Sequence, residues 1–382
     1  MDDRQALYVQ LNLIPDIGST QWRRLLDAFG EVEHIHHASA QDLQQLGGVT
    51  PRLARRIVDG IRDKRSLDND LNCAQRAGVA IVTLADSAYP RLLRLIPDPP
   101  LALYVKGSLE SQAPAIAMVG SRQASVYGVQ CAQQLAAELA ARGLTVISGL
   151  ARGVDAWAHR GALRTGRTWA VLGCGLGRVY PPEHEPLAAD IVERGALISE
   201  YPMQTAPLPR HFPRRNRLIS GLAFGVVVVE AGPRSGALIT VDCALEQGRE
   251  VFAVPGPITT ATSQGTNRLL QQGAKLITSV DDILEDMGSV AGLLRQAGLP
   301  DQVESMQGKA KPAAEATNPV ELPENQRRVF QCLRADEPAL IDVIVADSGL
   351  AVAQVSSALI ELELRRLVRQ LPGQQFLRVE AM

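Results

Sequence analysis

Between residues 75 and 285 the apolar positions gather in short unbroken runs: AIAMVG (115–120), TVISG (145–149), TWAVLG (168–173), ALISE (196–200), VVVVEA (226–231) and VFAVPG (251–256). Each run has the length of a strand and no polar alternation, which predicts strands covered on both faces. In the stretches between them an apolar residue returns every three or four positions, predicting helices over 129–142, 154–164, 184–194, 236–247 and 264–272. Strands alternating with helices imply right-handed crossovers and a doubly wound parallel sheet, an extended Rossmann-like α/β fold. In such sheets ligands sit outside the carboxyl ends of the strands.

The flanks have other patterns. Residues 1–70 read as all-helical, with LNLIPDIGSTQWRRLLDAFG (11–30) and DLQQLGGVTPRLARRI (42–57) each placing a Gly-containing turn before an amphipathic helix. In the second, Thr50 is the expected N-cap and Pro51 the first helical residue. These read as paired helix-hairpin-helix elements, either an interaction module or a pair of helix starts offering amides to phosphate. Residues 288–321 are rich in Pro, Ala, Gly and charge and read as a flexible linker between the sheet domain (71–287) and a tail domain (322–382). In the tail, NQRRVFQCLRADEP, LIDVIVADSGL and AVAQVSSALIELELRRLV predict three helices, and two short strands around Leu-Pro-Gly complete a winged-helix-like plan. The third helix presents Gln354, Ser356, Ser357, Glu361 and Glu363, with Arg365 and Arg366 only at its end. That face is poor for phosphates, so a protein-contact or regulatory module, or a weak duplex binder, is expected.

Composition narrows the class. At 382 residues the chain suits two or three domains, and with 46% hydrophobic but 4% aromatic residues its cores are aliphatic. A net charge of -2 confines any nucleic-acid surface to a local patch. There is no apolar run long enough to cross a bilayer and no leader pattern, so a soluble cytoplasmic protein without membrane insertion is expected. The five cysteines are scattered without a CxxC pair, and the cluster His34, His36 and His37 has no nearby cysteine, so neither a disulfide framework nor a metal site is expected.

The strand ends carry the candidate chemistry. Gly120, Ser121 and Arg122 follow the first run; Ser148 and Gly149 close the second, with Arg152 in the turn after it; Arg234, Ser235 and Gly236 follow the fifth. Three Gly-framed turns on one sheet edge, each with an arginine, predict an anion site in which amides and guanidinium groups cradle phosphate. Ser235 and Gly236 are the expected cap of the next helix. Asp155 is expected to brace its turn, and Glu230 ends a buried strand; neither has a paired carboxylate, and no catalytic set emerges. GCGLG (173–177) has the wrong spacing for a dinucleotide fingerprint and runs into RVYPP, so no nucleotide cofactor is expected. PRHFPRRNRL (209–218) reads as a basic loop: Arg210, Arg214, Arg215 and Arg217 supply charge, Phe212 a stacking face and Asn216 a polar bridge. Cations with an interleaved aromatic suit a single nucleic-acid strand. Arg215 and Arg217 have a second reading, in which they open a helix and pair with Glu200 or Glu230.

At these residues a resemblance becomes specific. GSRQASVYG, SGLARGVDAWAHRGAL, AVLGCGLGRVYPPEH, ISEYP, FPRRNRLISGL, EAGPRSGALITVDCALEQGREVFAVPG and GTNRLLQQGA resemble, in order, the motifs of the DNA-processing protein DprA (Smf) family. The resemblance implies a sterile-alpha-motif-like N-terminal domain, a Rossmann-like domain that binds single-stranded DNA, and a winged-helix-like tail. It implies a non-enzymatic recombination mediator that protects incoming DNA in natural transformation and loads the RecA recombinase. A homodimer formed through the Rossmann-like domain, and contact with single-strand-binding protein, are further expected partners. By the same resemblance the strand site uses Arg122, a basic residue at or beside Pro209 for which Arg210 is the candidate, Phe212 as stacking aromatic, and Arg215, Asn216 and Arg217. The alternative from a different class is a nucleotide-processing hydrolase of the related Rossmann-like type. The turn AGPRSGALIT lacks that class's tandem glycines, and Glu246 would have to be its catalytic carboxylate.

Overall fold

The computed structural model describes residues 1–287 except 16 and 47, and residues 323–333, 339–364, 367–371 and 375–378. The expected linker 288–321, Arg365, Arg366 and the Leu-Pro-Gly turn of the tail lie outside the described residues. The chain forms two compact units, Met1–Ala310 and Lys311–Met382.

The first unit opens with six helices: α1 (Asp3–Asn12), α2 (Ser19–Phe29), α3 (Val32–His37), α4 (Ala40–Gln44), α5 (Pro51–Arg62) and α6 (Lys64–Arg76). Their starts follow from local chemistry. Asp2 and Gln5 form a reciprocal capping box on α1, Ser39 and Asp42 do so on α4, and Thr50 caps α5 with Pro51 in its first turn. Leu11, Trp22, Leu25, Ile35, Leu43 and Ile57 close a core that continues into the sheet domain through Leu101.

The sheet has nine strands in the order β1-β2-β6-β5-β4-β3-β7-β8-β9. They are β1 (Ala80–Thr83), β2 (Ala102–Gly107), β3 (Ala115–Val119), β4 (Thr145–Ser148), β5 (Thr168–Val171), β6 (Ala196–Ser199), β7 (Gly225–Val228), β8 (Glu250–Ala253) and β9 (Lys275–Leu276). β2 runs antiparallel to both neighbours, and β6 through β9 pair in parallel, with Ile116 opposite Val146 and Met118 opposite Val227. The sheet is therefore mixed, mostly parallel and doubly wound: the chain steps from β3 outward to β6, then returns to place β7 on the other side of β3.

Alternation along each strand builds two apolar layers. Ala117, Val119, Val171, Ile198, Val226 and Val228 face α7 (Arg91–Arg94), α11 (His211–Gly221), α12 (Ala237–Glu246) and α13 (Gln264–Gln271). Ile116, Met118, Val146 and Val227 face α8 (Val126–Ala141) and α9 (Val154–Ala162), while Ala170 and Leu197 face α10 (Glu185–Arg194). All six apolar runs are strands, and the five expected helices form within a few residues of their expected bounds.

Three strands lie outside the six expected runs. β1 is a half-exposed edge, β2 ends in Lys106 and Gly107, and β9 has two residues. The basic segment read as a loop is largely helix. Pro213 sits in the first turn of α11, where a missing N–H costs nothing, so the prolines that suggested a loop are compatible with a helix start.

In the second unit helices span Glu324–Gln331, Ile341–Ser348 and Val352–Leu364, and β11 (Val368–Leu371) pairs antiparallel with β12 (Gln375–Arg378). β10 (Ala339–Leu340) adds a third strand on β12. Val329, Ile344, Val355, Leu359, Leu362, Val368 and Phe376 fill its core. This is the winged-helix arrangement.

Candidate functional site

α11 lies across the carboxyl edge of the parallel strands and sorts its basic residues by depth. At its start the Phe212 ring sits over Gly173, two residues past β5, where an added Cβ would come within 2.9 Å of the ring. Tyr180, exposed, packs beside it with ring centroids 5.4 Å apart and planes tilted by 39°. From the turn after β3 the exposed Arg122 reaches over the other side, its Cζ 6.0 Å from the Phe212 centroid. Arg210, one turn residue earlier, is exposed and makes no hydrogen bond or ion pair with other described residues. Arg122, Phe212, Tyr180 and Arg210 thus form an open shelf of charge and ring faces.

Deeper in α11 the guanidinium groups turn inward. Arg215 is 4% exposed; its Nη1 donates to the carbonyl of Gly149 at 2.8 Å and also to that of Val171. Arg217 is 6% exposed, with Nη2 on Glu200 Oε2 at 2.5 Å and on Ser19 Oγ at 3.1 Å, and Nε 3.0 Å from Asp98. Burial works against the Arg217 charge, but Glu200 and Asp98 outweigh it and hold its pKa above the ordinary value. In this structure both guanidinium groups are buried and engaged within the protein, and the second reading, a helix with Glu200, describes Arg217. Asn216 Nδ2 donates to Gly236 O at 3.3 Å and ties α11 to the start of α12. Arg214 stays exposed, 3.7 Å from Glu200.

The two principal strand-to-helix turns are already filled by carboxylates of the protein. Glu230, beyond β7, accepts from Ser125 N at 2.9 Å, Ser125 Oγ at 2.6 Å and Thr262 Oγ1 at 3.1 Å, at the very start of α8. A side chain at Gly128 would collide with that carboxylate. Ser121 N donates to Glu230 O at 2.7 Å, and Gln123 N to Ser121 Oγ at 3.1 Å, so these amides are taken. In the next turn Asp155 Oδ2 accepts from Gly149 N at 3.1 Å and Ala151 N at 3.3 Å. Burial raises the Asp155 pKa, with Arg215 and the turn amides pulling it back.

At the start of α8 the Glu230 carboxylate takes the Ser125 amide and hydroxyl, and in the β4–α9 turn Asp155 takes the Gly149 and Ala151 amides, so in this structure these positions are bonded from within the protein. Gly120 and Ser121 instead form the floor beneath Arg122. Gly153, at φ 72°, presses against the Ser121 carbonyl and locks the two turns back to back. Ser148 is buried, its Oγ donating to Met118 O at 2.6 Å. Arg152 is exposed but engaged, Nε and Nη2 reaching Glu183 Oε1 at 2.6 and 2.5 Å.

At the third turn Gly236 is the N-cap of α12 without a side-chain cap bond, and Ser235 Oγ accepts from Ala237 N at 3.3 Å. Arg234 is exposed and unpaired among the described residues. In GCGLG, Gly175 and Gly177 lie against the carbonyls of Pro202 and Met203, so these glycines serve close packing. Tyr180, Glu183 and the seat role of Glu230 escaped the reading of the sequence. The signal available for the first was an aromatic beside prolines in a strand-end loop, within a segment weighed only as a dinucleotide motif.

The architecture and the arginine–aromatic edge define the class, a DNA-binding Rossmann-like α/β protein. Residues 80–288 match the family DNA recombination-mediator protein A, residues 311–374 the DprA winged helix domain, and residues 10–63 the SAM-like helix-hairpin-helix tandem. The chain belongs to the DNA recombination-mediator protein A family, whose members carry the names DprA and Smf. It is 40% identical to Protein Smf of Escherichia coli over 88% of this chain and 87% of that one, and 33% identical to Protein Smf of Synechocystis over 99% of both. The crystal structure of DNA processing protein A from Streptococcus pneumoniae is similar at 34% identity and TM-score 0.66, covering 75% of this chain and 98% of that one. The Helicobacter pylori DNA processing protein A, from a structure describing its single-stranded DNA binding mode, is 29% identical at TM-score 0.50, covering 55% and 96%.

Proposed function

We propose that this protein holds single-stranded DNA along the carboxyl edge of its sheet domain, residues 71–287, and acts there as a non-enzymatic recombination mediator. Arg122 and Arg210 take backbone phosphates, Phe212 with Tyr180 stacks a base, and Arg234, Ser235 and Gly236 continue the path toward α12. In this role it protects incoming strands during natural transformation and loads the RecA recombinase onto them, working in the cytoplasm as a homodimer and meeting single-strand-binding protein on the same DNA. No described helix is long and apolar enough to cross a membrane.

The observation that carries the reading is the exposed Arg122 guanidinium standing over the half-buried Phe212 ring, on an edge whose nucleotide-type phosphate seats are filled by Glu230 and Asp155. Such an edge suits a polymer that offers phosphates and bases side by side. It also disfavours the hydrolase alternative. Glu246 is the last residue of α12, about 14 Å along the helix from the turn it would have to serve.

The test is binding of labelled oligo-dT across a salt series. Wild-type protein should bind and weaken steeply with salt. Arg122→Ala should weaken binding about ten-fold or more at unchanged melting temperature, and Phe212→Ala should lose about 1–3 kcal/mol with the salt slope preserved. Absence of wild-type binding at low salt would overturn the proposal. The mediator step is read separately, as RecA filament assembly on oligo-dT coated with single-strand-binding protein, where Arg122→Ala should fail.

A further inference from the structure

We infer that Glu183 is a built-in competitor of the DNA backbone: its carboxylate occupies the guanidinium of Arg152, and a strand phosphate binds there by displacing it. The inference rests on the proposed strand site. Arg152 lies in the β4–α9 turn next to Gly153, which presses on the backbone of Ser121 and Arg122. Glu183 follows Tyr180 by three residues, and Tyr180 packs on Phe212. The Arg152–Glu183 pair therefore bridges the two loops that frame the arginine–aromatic shelf.

Both Nε and Nη2 of Arg152 converge on a single oxygen, Glu183 Oε1, at 2.6 and 2.5 Å. The side chains are 65% and 46% exposed, and among the described residues Arg152 has no other acceptor. A hydrogen bond from its own backbone, and then Arg152, hold the Glu183 carboxyl below the usual range, so it is ionised at neutral pH.

An exposed pair of this kind is held weakly. It is strong enough to mask Arg152 from a passing anion and weak enough to yield to a phosphate already positioned by Arg122. Opening it exchanges one oxyanion for another on the same guanidinium. The consequence is selectivity: an isolated anion competes poorly with the tethered carboxylate, whereas a strand anchored at the neighbouring shelf presents its phosphate at high effective concentration.

The experiment uses full-length protein and oligo-dT in salt titrations, comparing wild type, Glu183→Gln, Arg152→Ala and the double variant. Glu183→Gln keeps the shape and removes the charge. It should tighten binding about two- to five-fold at low salt with a log–log salt slope close to that of wild type, because the Arg152 phosphate contact is made in both, whereas Arg152→Ala should flatten the slope by about 0.7, the increment of one phosphate contact on a single strand. The double variant should lose the whole gain in affinity and share the flatter slope of Arg152→Ala. If Glu183→Gln leaves affinity unchanged, there is no masking. If its gain survives in the absence of Arg152, the effect is a general change of surface charge and the inference fails. Loss of binding in Arg122→Ala with no response to Glu183→Gln would leave the strand site standing and refute the competitor alone. Failure of wild-type protein to bind oligo-dT would remove the strand site, and this inference with it.

Discussion

Arg217→Ala should destabilise the first unit by about 3–5 kcal/mol, although Arg217 belongs to the most basic segment of the chain. The side chain is 8% exposed and its principal partner Glu200 only 5%, the two meeting at 2.5 Å. Removing the cation leaves Glu200 buried with only Arg214, 3.7 Å away and itself 40% exposed, to balance it. It also removes the bond to Ser19, the first residue of α2, which ties the helical layer to the sheet domain. Against a total stability of order 5–15 kcal/mol for a domain, that loss is large. Urea unfolding followed by tryptophan fluorescence reads both layers, since Trp22 is buried among the N-terminal helices and Trp169 in the sheet. Arg217→Met combined with Glu200→Gln should recover at least half of the loss, because no charge is then stranded. The reasoning is refuted if Arg217→Ala unfolds within 1 kcal/mol of wild type, by the ~3 kcal/mol criterion above, while oligo-dT affinity collapses. That result would put the guanidinium on the DNA.

Two further predictions concern groups in and behind the edge. His159 is fully buried, its Nδ1 2.7 Å from Thr168 Oγ1, and burial, with the charges of His184, Arg215 and Arg160 adding to it, drives its pKa down from 6.5 to about 3. The unfolded chain takes up a proton below pH 6.5 that the folded protein refuses until about pH 3. Stability is therefore full above 6.5 and falls as pH drops through that window, by about 2 kcal/mol between pH 7 and 5; denaturant titrations of His159→Gln should show that much less pH dependence, and equal dependence would refute the assignment. Glu230→Ala should cost about 2–3 kcal/mol by orphaning Ser125 and Thr262, and sulfate should then raise its melting temperature more than that of wild type by entering the emptied start of α8. Equal sulfate responses would show that the carboxylate is not holding an anion seat.

What could be read from the sequence follows from how local each signal is. The runs at 115–120, 145–149 and 226–231 are apolar because β3, β4 and β7 are covered on both faces, and that cause acts residue by residue. β1 and β2 went unread although VAIV (79–82) and LALYV (101–105) are continuous apolar runs; their antiparallel pairing at one end of the sheet is a long-range contact that the runs themselves do not reveal. Arg122 and Phe212 were legible as residue types in turn-like context, yet their approach joins positions 90 apart. The split within 210–217 was not legible, since nothing local separates the exposed Arg210 and Arg214 from Arg215 and Arg217. The division depends on Gly149 O, Val171 O and Glu200 arriving beneath the helix from three other strands. The Gly-Ser-Arg turn misled for the same reason: its glycine and serine have the grammar of a phosphate cradle, and the anion that fills the neighbouring helix start comes from Glu230, more than a hundred residues away.

That internal filling bears on why a Rossmann-like sheet would handle a polymer. A doubly wound sheet that binds a nucleotide points a bare helix start at a phosphate and draws it into the crevice. Here Glu230 and Asp155 fill the turns from within, and on the proposed function a strand would be kept at the surface, where the exposed Arg122, Arg210 and Arg234 would meet it singly. On the proposed function, phosphate contacts at Arg122, Arg210, Arg234 and Arg152 would correspond to a log–log salt slope near about −3, falling to about −2 when Arg152 is removed. Contacts of this kind are individually weak, indifferent to sequence and separately reversible. The proposed mediator role, holding any strand and then giving it up to a recombinase, would require all three properties, and a deep phosphate seat would deny the last of them.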